Sequence, residues 1–486
     1  MKIIKLLCLK QSCILFLLVL IVYAVCSRLL SMSMSRTSDD LLSPHMLKIM
    51  RERRHQLTGN SSALNVLRKS CVSIDSIKAG REGQAPEGFR LRAALLLVRH
   101  GDRGPLLPVR NLSDIDCGVP AVLPAGLRSV YAGYGRAASR AAAGWRARLE
   151  AVGGTGALLP ADGRCRQGRL TPRGVLQLLR LGTALRPRYA PLLAGVAPQR
   201  LTVYYSPTER TLQSGAALAF ALAGEKSLGG AVWQATRNVD LCVTQCSCPA
   251  ARQLYTRAGL AARRRQADHP AFGELVSRLG PLAVEQPPEA PPLRPAELWD
   301  ALLASACHQA PLPCLGESCV SAADAGSLVV FRQWEARQPR SQELRSAARL
   351  RMRRFFEEAG RQLSRGVSGE RTAPLLTVWA GHDLTLSAAL LALGVRALSA
   401  QFQPPYASRL AIEVYEPTPA NPQRLWQFRL LYNGEDVTPL VPMCAGAPSG
   451  RLDLCPLQTL LDFTGPGYMA PFGGRSYEQV CADTNL

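Results

Sequence analysis

Three polar clusters in the chain each follow directly on a short apolar run. Arg99-His100-Gly101-Asp102-Arg103-Gly104-Pro105 comes after residues 93–98 (AALLLV), Ser206-Pro207-Thr208-Glu209-Arg210 after residues 201–205 (LTVYY), and Gly381-His382-Asp383 after residues 375–380 (LLTVWA). Brought together they supply two histidines, three arginines and a carboxylate that follows a histidine. Three guanidiniums in one pocket repel one another unless a dianion sits among them, and their forked donors match phosphate oxygens. His100, between Arg99 and Arg103, is placed to attack phosphorus and form a phosphohistidine, and the flanking cations favour the neutral imidazole a nucleophile must be. Asp383 is the motif carboxylate that can protonate an alkoxide leaving group and then activate water, with His382 stabilising charge on the group in transfer. Asp102 reads as a turn residue and is assigned no chemistry. The chain shows no Ser or Cys in a nucleophile elbow and no Gly-Lys-Ser/Thr phosphate loop. The chemistry these residues suit is phosphomonoester hydrolysis.

Continuous apolar runs of this length are the pattern of strands buried on both faces, and each breaks into a polar turn. Helices are expected to follow two of them, over residues 211–222 and 384–393, with Gly394 ending the second. In open α/β sheets ligands collect at the carboxyl ends of strands, so the three clusters are expected to meet although 282 residues separate His100 from His382. Residues 170–189 predict a helix with Thr171 as its cap and Pro172 in its first turn. Residues 411–415 and 426–432 read as late strands, and Asn433-Gly434 is a turn signal.

The 486 residues are 47% hydrophobic and 19% charged, which excludes disorder as the main state. Lys and Arg number 58 against 36 Asp and Glu, a net charge of +22. Such a balance favours anionic partners, although a compositional bias toward Ala, Arg, Gly and Leu produces the same arithmetic. Aromatic residues are 6% and nowhere interleave with a basic tract, so no nucleic-acid partner is expected. Lys2, Lys5 and Lys10 precede an apolar run over residues 13–26, the pattern of a signal anchor within residues 1–32 with a cytoplasmic amino terminus. The same length suits a cleaved signal peptide, for which Ala24-Val25-Cys26 is a small-residue site. Either places the remainder in a lumenal or extracellular compartment. Residues 33–70 are polar and basic and read as a stem. Twelve cysteines lie beyond the targeting segment, enough for six disulfides, and Cys242, Cys246, Cys248, Cys314 and Cys319 are read as structural rather than metal-binding. Asn60 and Asn111 stand in glycosylation sequons.

The segments RHGDRGP, SPTERTLQS and GHDLTLSAALLALG together resemble the histidine acid phosphatase family. The resemblance implies an α/β fold: a mixed sheet flanked by helices, with a smaller, mainly helical cap inserted from about residues 118–165 and 250–365. It implies His100 as nucleophile, Arg99, Arg103, Arg210 and His382 around the phosphate, Asp383 as proton donor, and no metal or other cofactor. Across residues 71–486 the segments SDIDC, CVTQCSC, CHQAPLPCLGESCV and LLYNGEDVTPLVPMC resemble a Golgi branch of that family acting on phosphorylated xylose in the linkage region of proteoglycans. That likeness implies a single-pass type II Golgi membrane enzyme with a lumenal catalytic domain, or a secreted one. It also implies the phosphorylated linkage-region glycan as substrate, the membrane as a partner through the anchor, and glycosaminoglycan-synthesis enzymes as neighbours. Two other readings stand beside it. One is a broader phosphatase of lumenal phosphomonoesters such as inositol polyphosphates or lysophospholipids, though His382-Asp383 differs from the His-Ala-Glu of the inositol branch. The other is a silent acidic-glycan binder, which would need the arginines but not His100 together with Asp383.

Overall fold

A computed structural model describes residues 62–486 apart from 155, 161–162, 245, 288, 396–402, 420–424, 446–453 and 484–486. The expected anchor, most of the stem and Asn60 lie outside the described residues. Among the described residues no helix is long and apolar enough to cross a membrane.

Helix α1 (Ser62–Ser70) leads into strand β1 (Phe89–Arg99); helices α2 (Leu127–Glu150) and α3 (Pro172–Leu193) precede β2 (Leu201–Tyr205). Then come α4 (Glu209–Ala223), α5 (Lys226–Gly230) and β3 (Val232–Ala235). A helical stretch follows: α6 (Pro249–Ala267), α7 (Phe272–Ala283), α8 (Pro295–Cys307), the small hairpin β4 (Cys314–Leu315) and β5 (Ser318–Cys319), α9 (Ala322–Arg337) and α10 (Gln342–Val367). The chain closes with β6 (Leu376–Gly381), α11 (Asp383–Ala392), β7 (Arg409–Pro417), β8 (Gln427–Tyr432), β9 (Glu435–Asp436), β10 (Cys455–Pro456), α12 (Leu457–Thr464) and α13 (Tyr477–Ala482).

The central sheet runs β10-β8-β7-β1-β6-β2-β3, with β9 paired to β8. β1 is parallel to β6 and antiparallel to β7, so the sheet is mixed. The period-two alternation of a strand explains its apolar runs. In β1, Ala93, Leu95 and Leu97 enter one apolar layer, beneath α10 and α11, while Ala94, Leu96 and Val98 enter the other, beneath α3 and α4. β6 divides likewise, Trp379 to the first layer and Leu376, Val378 and Ala380 to the second. Each fully buried Leu or Val contributes roughly 1.5–3 kcal/mol, which anchors the strand ends firmly enough to carry a loop of buried charges. The Asn433-Gly434 signal is realised as a two-residue reversal between β8 and β9, with both residues at positive φ.

The stretches expected to form the cap do different things. α2 packs its Tyr134, Trp145 and Leu149 into the second sheet layer, and α10 packs Phe355 and Phe356 into the first. Helices α7, α8 and α9 instead gather around an apolar cluster of their own, with Trp299, Leu302 and Phe331 at its centre. α1, read from its polar composition as stem, joins that cluster through the fully buried Leu67, and Cys71 just beyond it is bridged to Cys307 at the end of α8. Three apolar residues, Leu64, Val66 and Leu67, on one short polar helix are a weak periodic signal, which is why composition alone left it outside the fold.

All twelve cysteines pair: beside Cys71–Cys307 there are Cys117–Cys165, Cys242–Cys246, Cys248–Cys481, Cys314–Cys319 and Cys444–Cys455. Cys117, Cys165 and His308 lie close enough to suggest a metal, but the two sulfurs are already bonded to each other and offer no thiolate.

Candidate active site

The strand register brings the three polar clusters together. Arg99 of β1 faces Gly381 of β6, and Ala380 of β6 faces Tyr205 of β2, all with parallel direction, so the three carboxyl ends lie side by side. Backbone bonds continue past the strands, from His100 N–H to the Gly381 carbonyl (3.0 Å) and from Ser206 N–H to the Ala380 carbonyl (3.1 Å). His382 caps α11 and Arg210 lies in the first turn of α4, so two helix amino termini point at the same space.

The loop after β1 is held by close backbone approach. A side chain at Gly101 would place its Cβ 2.2 Å from the Gly174 carbonyl oxygen, and one at Gly104 would sit 2.1 Å from that of Arg166. Gly174 is in turn the residue whose N–H is capped by Thr171 Oγ1 at 3.1 Å, at the start of α3. Asp102 is fully buried: its Oδ2 accepts from Thr171 Oγ1 (2.6 Å) and His308 Nε2 (2.8 Å), and its N–H donates to Gln177 (2.8 Å). It therefore braces the loop against α3 and the end of α8, more than an isolated turn residue would.

His100 is 2% exposed, and its Nδ1 lies 2.7 Å from the Gly101 carbonyl. A carbonyl only accepts, so Nδ1 carries the proton and Nε2 keeps its lone pair. Burial, then the charges of Arg210 and Arg99, hold the imidazole well below its ordinary pKa. His382 stands edge-on to it, ring centroids 5.3 Å apart. Its Nδ1 faces an Arg210 nitrogen at 3.4 Å and its Nε2 faces Ser206 Oγ at 2.7 Å. A guanidinium only donates, so Nε2 is the protonated atom here, and burial with Arg210 pulls the ring down to about 3.

Each arginine is oriented by a different partner. Arg99 donates to the Pro404 carbonyl (2.6 Å), lies 4.2 Å from the Tyr406 ring centroid, and reaches Asp383 Oδ2 at 3.4 Å. Arg103 is gripped in a fork by Asp300 of α8, at 3.2 and 2.9 Å, and donates to the Gly104 carbonyl. Arg210 reaches the Gly168 carbonyl at 3.4 Å, and burial beside Arg103 pulls its guanidinium down to about 10, still charged at neutral pH. Glu209 pairs with Arg169. Burial alone would raise the Asp383 carboxyl; Arg99 and Arg103 overcome it and leave the group below its ordinary value, with Oδ1 accepting from the Leu384 N–H at 2.8 Å.

His100, Asp383, Arg99, Arg103, Arg210 and His382 thus stand in one pocket, formed from three strand ends. Two further side chains complete it without any motif of their own. Tyr406 is buried 6.0 Å from the His100 ring centroid, and its phenol is pushed up to about 12 by burial. Asp300 reaches in from a helix whose neighbours Trp299 and Ala301 are buried, and a lone acid in such an apolar stretch is the one clue the sequence offered. Charged hydrogen bonds of this kind are worth about 1.5–3 kcal/mol. Asp300→Ala should therefore loosen Arg103 and weaken inhibition by inorganic phosphate by about tenfold, or ~1.4 kcal/mol; an unchanged inhibition constant would show that Arg103 needs no such support.

The Asn111 side chain is exposed, with its Oδ1 accepting from the Cys314 N–H at 2.9 Å.

A family model, the histidine phosphatase superfamily (branch 2), matches residues 90–433. A curated relative, 2-phosphoxylose phosphatase 1 of Danio rerio, is 28% identical over 436 residues, covering 84% of this chain and 85% of the relative. 2-Phosphoxylose phosphatase 1 of Homo sapiens is 27% identical over 410 residues, covering 82% and 83%. Among solved structures, the Bifidobacterium longum multiple inositol polyphosphate phosphatase in complex with inositol hexasulfate aligns with a TM-score of 0.48 at 13% identity, over 79% of this chain and 94% of that one.

Proposed function

The chain belongs to the histidine phosphatase superfamily (branch 2) and is a phosphatase, and from that premise we propose that it removes the 2-phosphate from xylose in the glycosaminoglycan–protein linkage region by way of a phosphohistidine. The observation that carries the mechanism is the His100 tautomer: an Nδ1–H anchored on the Gly101 carbonyl leaves the Nε2 lone pair free, in a pocket of three arginines. In the first step His100 Nε2 forms a bond to phosphorus while the ester P–O bond breaks, and Asp383 gives its proton to the departing sugar oxygen. In the second, water attacks the phosphohistidine, Asp383 takes the proton, and phosphate leaves. Arg99, Arg103 and Arg210 offset the charge of the equatorial oxygens throughout, and His382, beside an incoming dianion, gains a reason to protonate that it lacks in the free enzyme.

The choice of leaving group is supported by the two relatives named for 2-phosphoxylose, matched over more than four fifths of this chain. The amino-terminal apolar run, the basic composition and six disulfides support a type II Golgi membrane protein with its catalytic body in the lumen, glycosylated at Asn60 and Asn111. Helices α7 to α9 are proposed as the core of the cap, because they cluster away from the sheet, with α1 joining them, and send Asp300 to Arg103.

The test offers the protein a linkage-region glycan bearing 2-phosphoxylose and, separately, other phosphorylated sugars and nitrophenyl phosphate. A kcat/KM for the glycan at least 10²-fold above that for other phosphorylated sugars is the expected result, since a polar leaving-group site discriminates by several kcal/mol. Equal release from all of them would retain the phosphatase and discard the xylose assignment.

A further inference from the structure

Three cavities, of about 350, 510 and 440 Å³, join at the side chain of Tyr255, which lines all of them. The resulting trough lies beside the catalytic pocket. Leu384, the residue after Asp383, lines the first two, and Pro404, whose carbonyl holds Arg99, lines the second. From there it follows α6 on one side and the end of α9 and start of α10 on the other.

Its lining holds ten arginines against two carboxylates, Asp240 and Glu335. Those two are already engaged, Asp240 with Arg351 and Glu335 with Arg332. Arg263, Arg265, Arg337 and Arg340 are exposed and form no ion pair among the described residues. Glu297, whose carboxyl feels the charge of Arg263, is already held by Arg294. Charges gathered in a concave surface reinforce one another's field, so the trough is built to be filled by anion. Tyr255 and Leu384 add exposed apolar surface, 43% and 48% accessible, and Arg351 sits 5.0 Å from the Tyr255 ring centroid, keeping it in place. The walls are helices joined by loop residues such as Asn238, Pro339 and Pro404, and among the described residues they present no unpaired strand edge to which an extended peptide could add. Guanidinium forks beside an apolar platform suit carboxylated or sulfated sugar rings better.

We infer that this trough binds the anionic glycan chain continuing beyond the phosphorylated sugar, so that substrate is selected by its length and charge as well as by its phosphate. The inference rests on the glycan reading above for what occupies the pocket next to it. The probe is a heparin-derived hexasaccharide, titrated calorimetrically into the wild-type protein and into Arg263→Ala/Arg265→Ala/Arg337→Ala/Arg340→Ala. The expected result is at least a tenfold loss of affinity and a shallower salt dependence in the variant, with kcat/KM for nitrophenyl phosphate within twofold of wild type, which also shows that the variant is folded. Equal affinity in the two proteins overturns the inference. So does a poly-glutamate peptide of matched charge that binds the trough more tightly than the hexasaccharide. If wild type fails to prefer the phosphoxylose glycan yet loses hexasaccharide binding in the variant, the trough stands and the xylose assignment falls.

Discussion

His100→Ala abolishes phosphoenzyme formation and lowers turnover by on the order of 10⁶-fold, the scale on which removal of a covalent nucleophile is felt. The expectation follows from how little else in the pocket could replace it. Among the described residues His382 is the only other imidazole there, and its two nitrogens are committed to Arg210 and Ser206. On the proposed mechanism the arginines hold phosphate but cannot attack it, so phosphate affinity should survive the substitution while chemistry does not. Rapid acid-free quenching of the protein mixed with radiolabelled substrate reads the bound phosphate directly; a phosphoenzyme that persists in the alanine variant would remove His100 from the role. Folding is controlled by His100→Asn, whose amide can still donate to the Gly101 carbonyl and spares that buried oxygen the loss of its partner. Both variants should be inactive, with the asparagine form retaining the thermal stability of wild type.

The catalytic loops were legible in the sequence because a strand buried on both faces must be continuously apolar, and the point where polarity returns is where the sheet ends. Residues 93–98, 201–205 and 375–380 showed that break, and the register of β1, β6 and β2 turns it into adjacency. Thr171 and Pro172 marked the start of α3 for a local reason, since capping involves residues three apart. What could not be read depends on distant partners. The fork from Asp300 to Arg103 spans 197 residues, and the Asp102–His308 contact spans 206; neither leaves a periodic trace. The assignment of helices to layers was hidden for a related reason. α2 and α8 are both rich in Ala and Leu, and composition alone cannot say that one covers the sheet while the other clusters with α7 and α9.

Asp383→Asn should slow attack on poor leaving groups far more than on good ones. An alkoxide of a sugar departs only with a proton, and a positioned acid contributes about 10²- to 10⁴-fold to such a step; nitrophenolate departs without one. The rate of phosphoenzyme formation, followed as a pre-steady-state burst, should therefore fall by about 10³-fold with a sugar phosphate and by less than tenfold with nitrophenyl phosphate. The burst isolates this step from the second, in which Asp383 is proposed to activate water and its loss should slow both substrates alike. Asparagine keeps an oxygen to accept from the Leu384 N–H, so the α11 terminus is preserved. The sign of the pH dependence follows from the same site. In the free enzyme Arg99 and Arg103 outweigh burial and hold the carboxyl below its ordinary value, so the proton-donating form grows scarcer as pH rises. A bound phosphate dianion answers those arginines and raises the carboxyl, which is how substrate prepares its own acid. For a sugar phosphate, kcat, which reports the carboxyl in the substrate complex, should thus be greatest in acid and decline toward neutrality, and the asparagine variant should lose that decline. Equal slowing of both substrates in the burst, or an unaltered pH profile, would assign the departing oxygen's proton to another donor.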